Sequence, residues 1–136
     1  MSQSFRTPIQ EMNAHQREWF ATAMVVMVMA DGNVTREEME SIVRTISFVK
    51  NEVLVETLKK YIHYQTAPTL TAFAGWEKEL KYRAYMMLDL MDVAISDRDF
   101  SPKEKTQFLF IGKLLGFPVP KVEELIAMGD SNIQKS

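Results

Sequence analysis

The chain contains one turn sequence twice, as MADGNVTREEMES over residues 29–41 and as ISDRDFSPKEKTQ over residues 95–107. Each copy follows a mainly apolar run and precedes a segment rich in charge. The copies correspond at Asp31 and Asp97, Asn33 and Asp99, Val34 and Phe100, Thr35 and Ser101, and Glu38 and Glu104. This duplication predicts that both halves of the chain build the same local structure.

Each copy also carries the signature of a helix start. Thr35 with Glu38, and Ser101 with Glu104, match the capping box. In that motif the hydroxyl accepts from the N–H three residues on, and the glutamate accepts from the N–H of the capping residue. Pro102 stands at the first helical position, where its missing N–H is not needed. The repeat therefore predicts two helical hairpins, each with a buried helix, a tight turn and an amphipathic helix.

Apolar residues recur at helical spacing in most of the chain, and no stretch alternates long enough to predict a strand. Segments near 14–30 and 76–96 are apolar on most sides, which is typical of central helices. Along the second of these, the predicted apolar stripe is Leu80, Ala84, Met87, Leu88, Met91 and Ala94.

The last part of the chain carries its own signals for the end of one helix and the start of another. Gly116 is placed for a left-handed helix cap. Pro120 is expected to open a last helix over 120–128, with a fraying tail after it. We predict an all-α fold, a compact bundle of about six or seven helices made of two similar hairpin halves. A single domain is expected over 1–136, with its core at about 14–128 and flexible tails.

Composition argues against several classes of function. The 136 residues carry a net charge of −2, which does not favour nucleic acid as a partner. The absence of cysteine excludes disulfides, thiolate zinc sites and a cysteine nucleophile. The apolar run over 20–30 is too short to span a bilayer, so no direct membrane insertion is expected. It has a counterpart before the second turn, and we interpret it as a buried helix rather than a cleaved signal.

The duplicated motif resembles that of the tellurite-resistance TerB-like family, whose signature is an Asp-Gly turn, a Ser or Thr, and a Glu three residues later, in two copies. The copies here are DGNVTREE (31–38) and DRDFSPKE (97–104), with Arg98 in place of the second glycine. The second copy continues as EKTQFLFIGKLLGFP (104–118), similar to the family's helix ending in Leu-Gly-Phe. The resemblance covers roughly residues 14–128.

The resemblance implies a non-enzymatic helical domain of bacterial stress-resistance systems, similar to the TerB-like domain of membrane-anchored J-domain co-chaperones. It also implies an acidic surface that binds divalent metal. The expected partner is another protein, including a membrane-associated one. The expected location is the cytoplasm, or the periphery of the inner membrane through such a partner.

Acidic residues concentrate at and near the two turns, and they are Asp31, Glu37 and Glu38 in the first half and Asp89, Asp92, Asp97, Asp99 and Glu104 in the second. If the halves pack about a pseudo-twofold axis, their carboxylates could converge on a hard cation such as Ca²⁺, Mg²⁺ or Mn²⁺. Capping and turn formation explain the same residues without a metal, which leaves a metal-free protein-interaction scaffold as the alternative. The candidate metal ligands are Asp31, Glu38, Asp97, Asp99 and Glu104.

Other chemistry finds little support. An EF-hand reading of the second turn fails, because Pro102 stands at its glycine position and Phe108 at its bidentate glutamate position. His15 and His63 have no second histidine at helical spacing, which argues against a zinc triad. A hydrolase with paired carboxylates lacks a nucleophile or histidine base. Methionine is common in the chain, and Met24, Met27, Met86, Met87 and Met91 are interpreted as core because they lie within apolar helices. The basic residues interpreted as a solvated face are Lys50, Lys59, Lys60, Lys78, Lys81 and Arg83.

Overall fold

Six α-helices form the fold in the computed structural model, which describes residues 5–32, 34–96 and 99–135. Residue 135 is described by its backbone alone. Two short 3-10 turns, Ile9–Glu11 and Ile46–Phe48, accompany them, and no strand occurs in the described ranges. The predicted all-α bundle is therefore confirmed. The helices are α1 (Ala14–Met29), α2 (Arg36–Thr45), α3 (Glu52–His63), α4 (Leu80–Ala94), α5 (Pro102–Leu114) and α6 (Val119–Lys135).

Both predicted helix starts are confirmed by their hydrogen bonds. Thr35 Oγ1 accepts from the Glu38 N–H at 3.1 Å, and Glu38 accepts from the Thr35 N–H at 3.2 Å. Ser101 Oγ and the Glu104 N–H make the matching bond at 3.2 Å, and Glu104 accepts from the Ser101 N–H at 2.9 Å. These caps turn the chain from α1 into α2 and from α4 into α5.

The centre of the bundle is the packing of α1 against α4. Both helices contribute side chains with no exposed surface, among them Phe20 and Met27 from α1 and Met87 and Leu90 from α4. Methionine fills irregular space between helices because its unbranched side chain has three rotatable bonds. The interpretation of Met24, Met27, Met86, Met87 and Met91 as core is confirmed.

The start of α4 differs from the prediction. The helix begins at Leu80 rather than at 76, because Trp76 takes a left-handed φ of +58° and Glu79 is also non-helical. Leu80 consequently lies at the edge of the bundle with 64% of its surface exposed, and Leu88 is only half-buried. Placing these two leucines in the buried stripe was wrong.

Arg83 is a second correction on α4, since it is buried rather than part of a solvated face. Its Nε and Nη2 donate to the carbonyl of Gly75 at 3.1 and 2.7 Å, and its Nη1 donates to the carbonyl of Leu115. The guanidinium also lies 5.3 Å from the ring centroid of Phe73. Arg83 thereby ties the 64–79 connection to the carboxyl end of α5, where the helix dipole favours a cation.

The last helix is longer than predicted. It runs from Val119 to Lys135 and does not end at 128, because its second half still packs on the bundle. Gly129 is buried so closely that an added Cβ would lie 2.5 Å from Met91 Sδ. Asp130 also pairs with Lys105 of α5 at 3.0 Å. Before this helix, Gly116 has the predicted left-handed conformation, with φ +88°.

None of the described helices combines the length and the apolar character that crossing a membrane requires.

Candidate acidic site

The two duplicated turns meet in space. Asp31 of the first turn lies beside Asp99 and Glu104 of the second. One carboxylate oxygen from each residue can be chosen so that all three lie within 4.8 Å of one another. Asp99 is exposed, Asp31 is half-buried and Glu104 is 5% exposed. The group therefore extends from the protein surface into its interior.

Local structure explains why these side chains converge. Asp31 leaves the end of α1, and Gly32 then reverses the chain with a φ of +70°. Asp99 precedes the cap of α5, and Glu104 lies in the first turn of that helix. The dipole at a helix amino end stabilises nearby negative charge, which offsets part of the repulsion among the three carboxylates.

Glu104 already has a structural role, because its Oε1 accepts from the Ser101 N–H at 2.9 Å. A carboxylate has about four lone-pair positions on its two oxygens. The capping bond uses one of these positions.

The predicted ligands are only partly brought together. Asp31, Asp99 and Glu104 form the group described above, whereas Glu38 is outside it. Glu38 accepts from the Thr35 N–H and lines the same cavity as Asp31 and Glu104. Asp97 lies outside the described residues. The role of all five as metal ligands stays a prediction.

A cavity of about 160 Å³ lies next to the group, between the two hairpins. Its apolar lining includes Val28, Ile42 and Val93. The space is sufficient for several water molecules, and the polar lining supplies the two to four partners that each water needs. The polar side chains of the lining are Asp31, Glu38, Asp89, Asp92, Glu104, Ser41, Thr45 and Ser96.

Asp89 and the segment before α1 are the part of this site that the candidate ligand set omitted. Asp89 is 4% exposed. Its Oδ1 accepts from the Arg6 N–H at 3.1 Å, and its Oδ2 accepts from the Thr7 N–H at 2.9 Å and the Thr7 hydroxyl at 2.5 Å. Arg6 Nη1 donates to Asp92 at 2.7 Å. These bonds fasten the amino-terminal segment to the cavity.

A sequence signal for Asp89 did exist. It interrupts the apolar run YMMLDLMDVA on a helix predicted to be central, and a buried carboxylate requires partners. The sequence did not identify Thr7 and Arg6 as those partners, because they lie more than eighty positions away.

The arrangement offers only oxygen ligands, the type that Ca²⁺, Mg²⁺ and Mn²⁺ prefer. Three carboxylates near water-sized space suit a cation that keeps part of its hydration shell. Comparison of the chain with protein-family models, with curated proteins and with solved structures found no match. The geometry of the acidic group is thus the main support for a proposal about function.

Proposed function

We propose that this protein is a non-enzymatic helical module that binds a divalent cation through its two acidic turns. Its expected setting is a bacterial stress or tellurite-resistance-type complex, where it would act on a protein partner. The observation that carries the proposal is the convergence of Asp31 with Asp99 and Glu104. The setting rests on the resemblance of the duplicated motif to the TerB-like family.

Electrostatics gives the cation a reason to bind. One oxygen from each of the three carboxylates lies within 4.8 Å of the others, and a divalent cation between them would be attracted to all three. The interaction is strongest at Glu104, which is the most buried of the three. The bound ion would be coordinated from both hairpins at once.

Bridging the hairpins suggests how binding could produce a signal. Asp31 follows the end of α1, while Asp99 and Glu104 lie at the start of α5. An ion shared by both turns fixes one hairpin relative to the other. A partner that recognises the surface around the turns would then bind the loaded and empty forms with different affinities.

Direct capture of tellurite at this site is disfavoured, because tellurite is an anion and the group is acidic. A contribution to resistance would therefore be indirect, through the partner complex.

The alternative is a metal-free interaction scaffold, and one observation favours it. Glu38 and Glu104 both complete capping boxes, so these two acids have a structural explanation without an ion. In this alternative the turns only start helices, and a partner docks on the bundle regardless of cations.

Isothermal titration with CaCl₂, MgCl₂ and MnCl₂ at constant ionic strength separates the two proposals. Saturable binding is expected for the unmodified protein and is expected to be lost in the double variant Asp31→Asn, Asp99→Asn. Glu56→Gln is the matched control, since it removes an exposed acid on α3 that does not line the cavity. Absence of saturable binding for all three salts up to several millimolar would refute the cation proposal and leave the scaffold.

A further inference from the structure

The segment over residues 5–7, here termed the strap, lies across the acidic cavity from outside the six helices. Phe5 lines the cavity and packs edge-on against Phe20 and Phe48, with centroid distances of 5.8 Å to each. Thr7 is 2% exposed, and both its N–H and its hydroxyl donate hydrogen bonds to Asp89. The strap is therefore fixed at one end by the aromatic packing of half-buried Phe5 and at the other by the hydrogen bonds of buried Thr7.

Arg6, between these two anchors, is held differently. Its Nη1 lies 2.7 Å from Asp92 Oδ2 and 3.5 Å from Asp89 Oδ1. The side chains of Arg6 and Asp92 are 48% and 59% exposed. Exposed ion pairs of this kind contribute little and exchange readily with solvent. The strap can thus release the guanidinium while Phe5 and Thr7 keep it in place.

Both acceptors of Arg6 belong to the cavity that Asp31, Glu38 and Glu104 also line. The guanidinium consequently places a positive charge beside the acidic space. A cation that enters this space meets that charge, and it also meets two carboxylates that Arg6 has already neutralised in part.

We propose that the strap is an intramolecular regulator of the acidic site, in which the positive charge of Arg6 opposes binding of the divalent cation. The guanidinium acts through space from Asp89 and Asp92 on an ion held by the other carboxylates of the cavity. This inference rests on the cation binding proposed above. Coupling of this kind is reciprocal, so a bound cation weakens the Arg6 contact by the same factor by which Arg6 weakens cation binding. Anything that draws Arg6 away, such as an acidic partner surface, would raise the affinity for the ion.

Coulomb's law sets the size of the effect. A unit charge about 10 Å from a divalent cation in water changes its affinity about fourfold, and the effect grows where water is partly excluded. Arg6→Gln is therefore expected to bind Mg²⁺, Ca²⁺ or Mn²⁺ about three- to tenfold more tightly than the unmodified protein.

The test compares dissociation constants from titrations with the three chloride salts at fixed ionic strength. Arg6→Gln removes the charge, and Arg6→Lys retains it. Lys59→Gln is the control for net charge, because Lys59 lies on α3 outside the cavity lining. Circular dichroism verifies that each variant keeps its helices.

Tighter binding in Arg6→Gln alone, with Arg6→Lys and Lys59→Gln close to the unmodified protein, supports the inference. Binding by Arg6→Gln when the unmodified protein binds nothing also supports it, since the strap would then block the site fully. Equal affinity in the unmodified protein and Arg6→Gln overturns the inference and leaves the cation proposal standing. An equal gain in Lys59→Gln overturns it as well, and binding by neither protein overturns both proposals.

Discussion

At the scale of single residues, Asp89 and Arg83 show how α4 accommodates charge inside the bundle. Asp89 accepts bonds from the strap, and Arg83 donates to the carbonyls of Gly75 and Leu115. Asp89 bonds to two backbone N–H groups and to two side chains of the strap, and Arg83 bonds to backbone carbonyls of a connection and of a helix end. These two side chains therefore fix segments that the helices alone would leave loose.

Asp89→Ala is expected to destabilise the protein by about 1–3 kcal/mol, because the Thr7 N–H and hydroxyl would remain buried without their acceptor. Asp92→Ala is the matched control. It removes an exposed partner of Arg6 from the same helix and should cost less than about 1 kcal/mol. Urea unfolding monitored by circular dichroism measures both. Equal costs for the two variants would contradict the assignment of Asp89 as the anchor of the strap.

Tyr82 offers a prediction about pH. A hydrogen bond to Glu11, followed by the negative charge of that carboxylate, raises the pKa of Tyr82 above its ordinary value of about 10. The folded state thus holds the phenol proton more tightly than the unfolded chain. The resulting stability is fully present below pH about 10 and is lost as the pH rises through the folded-state pKa.

In an absorbance titration of the tyrosines, Tyr82→Phe should remove a component that ionises at high pH. Glu11→Gln should shift that component towards lower pH. If the titration curve above pH about 10 is the same in all three proteins, the Tyr82–Glu11 contact does not form in solution.

At the scale of elements, the sequence predicts the helix ends that local motifs determine, but it does not predict the helix bounds that depend on contacts between distant segments. Thr35, Ser101 and Gly116 act on the backbone within a few residues of themselves, so their motifs identify helix ends without knowledge of the fold. The late start of α4 and the continuation of α6 to Lys135 depend on packing between distant segments. Gly129 against Met91 is one such contact.

The candidate site also has a part that the sequence predicts and a part that depends on long-range contacts. The spacing within each turn marked Asp31, Asp99 and Glu104 as candidates, and their convergence required the additional assumption that the halves pack symmetrically. The strap could not be inferred, because the partners of Asp89 lie at the opposite end of the chain. Asp97 remains a predicted ligand outside the described residues.

The two capping boxes should differ in their contribution to the free energy of unfolding. Ser101→Ala and Thr35→Ala each remove a cap, which costs about 0.5–2 kcal/mol. Ser101→Ala is expected to lie at the upper end, since its partner Glu104 is buried whereas Glu38 is half-buried. Urea midpoints of the single variants test this order. A larger loss for Thr35→Ala would mean that burial does not control the strength of these caps.

At the scale of the whole molecule, the acidic group contains residues from both hairpins of the bundle. A bound ion would therefore raise the free energy of unfolding of the whole protein. A ligand at 100 times its dissociation constant adds about 2.7 kcal/mol if the unfolded chain does not bind it. With an unfolding entropy of about 2.1 cal/mol/K per residue, the melting temperature of a chain this long rises by roughly 9 °C.

Differential scanning fluorimetry with each divalent chloride, against sodium chloride of matched ionic strength, measures that rise. General screening of surface carboxylates should be reproduced by the sodium salt, whereas a specific site should not. Glu104→Gln preserves a side chain able to complete the capping box while removing its charge. A melting shift as large in Glu104→Gln as in the unmodified protein would count against coordination by Glu104.

The methionine-rich packing between α1 and α4 has a consequence for oxidative damage. Conversion of methionine to its sulfoxide makes an apolar side chain polar, and susceptibility follows exposure. Met128 is 53% exposed, while Met24, Met27, Met86 and Met87 have no exposed surface. Under hydrogen peroxide, Met128 should be oxidised before these four buried methionines and without loss of helix content. The four buried sulfurs should react only as fast as the bundle opens, so peptide mass spectrometry of their sulfoxides would record how often α1 and α4 separate.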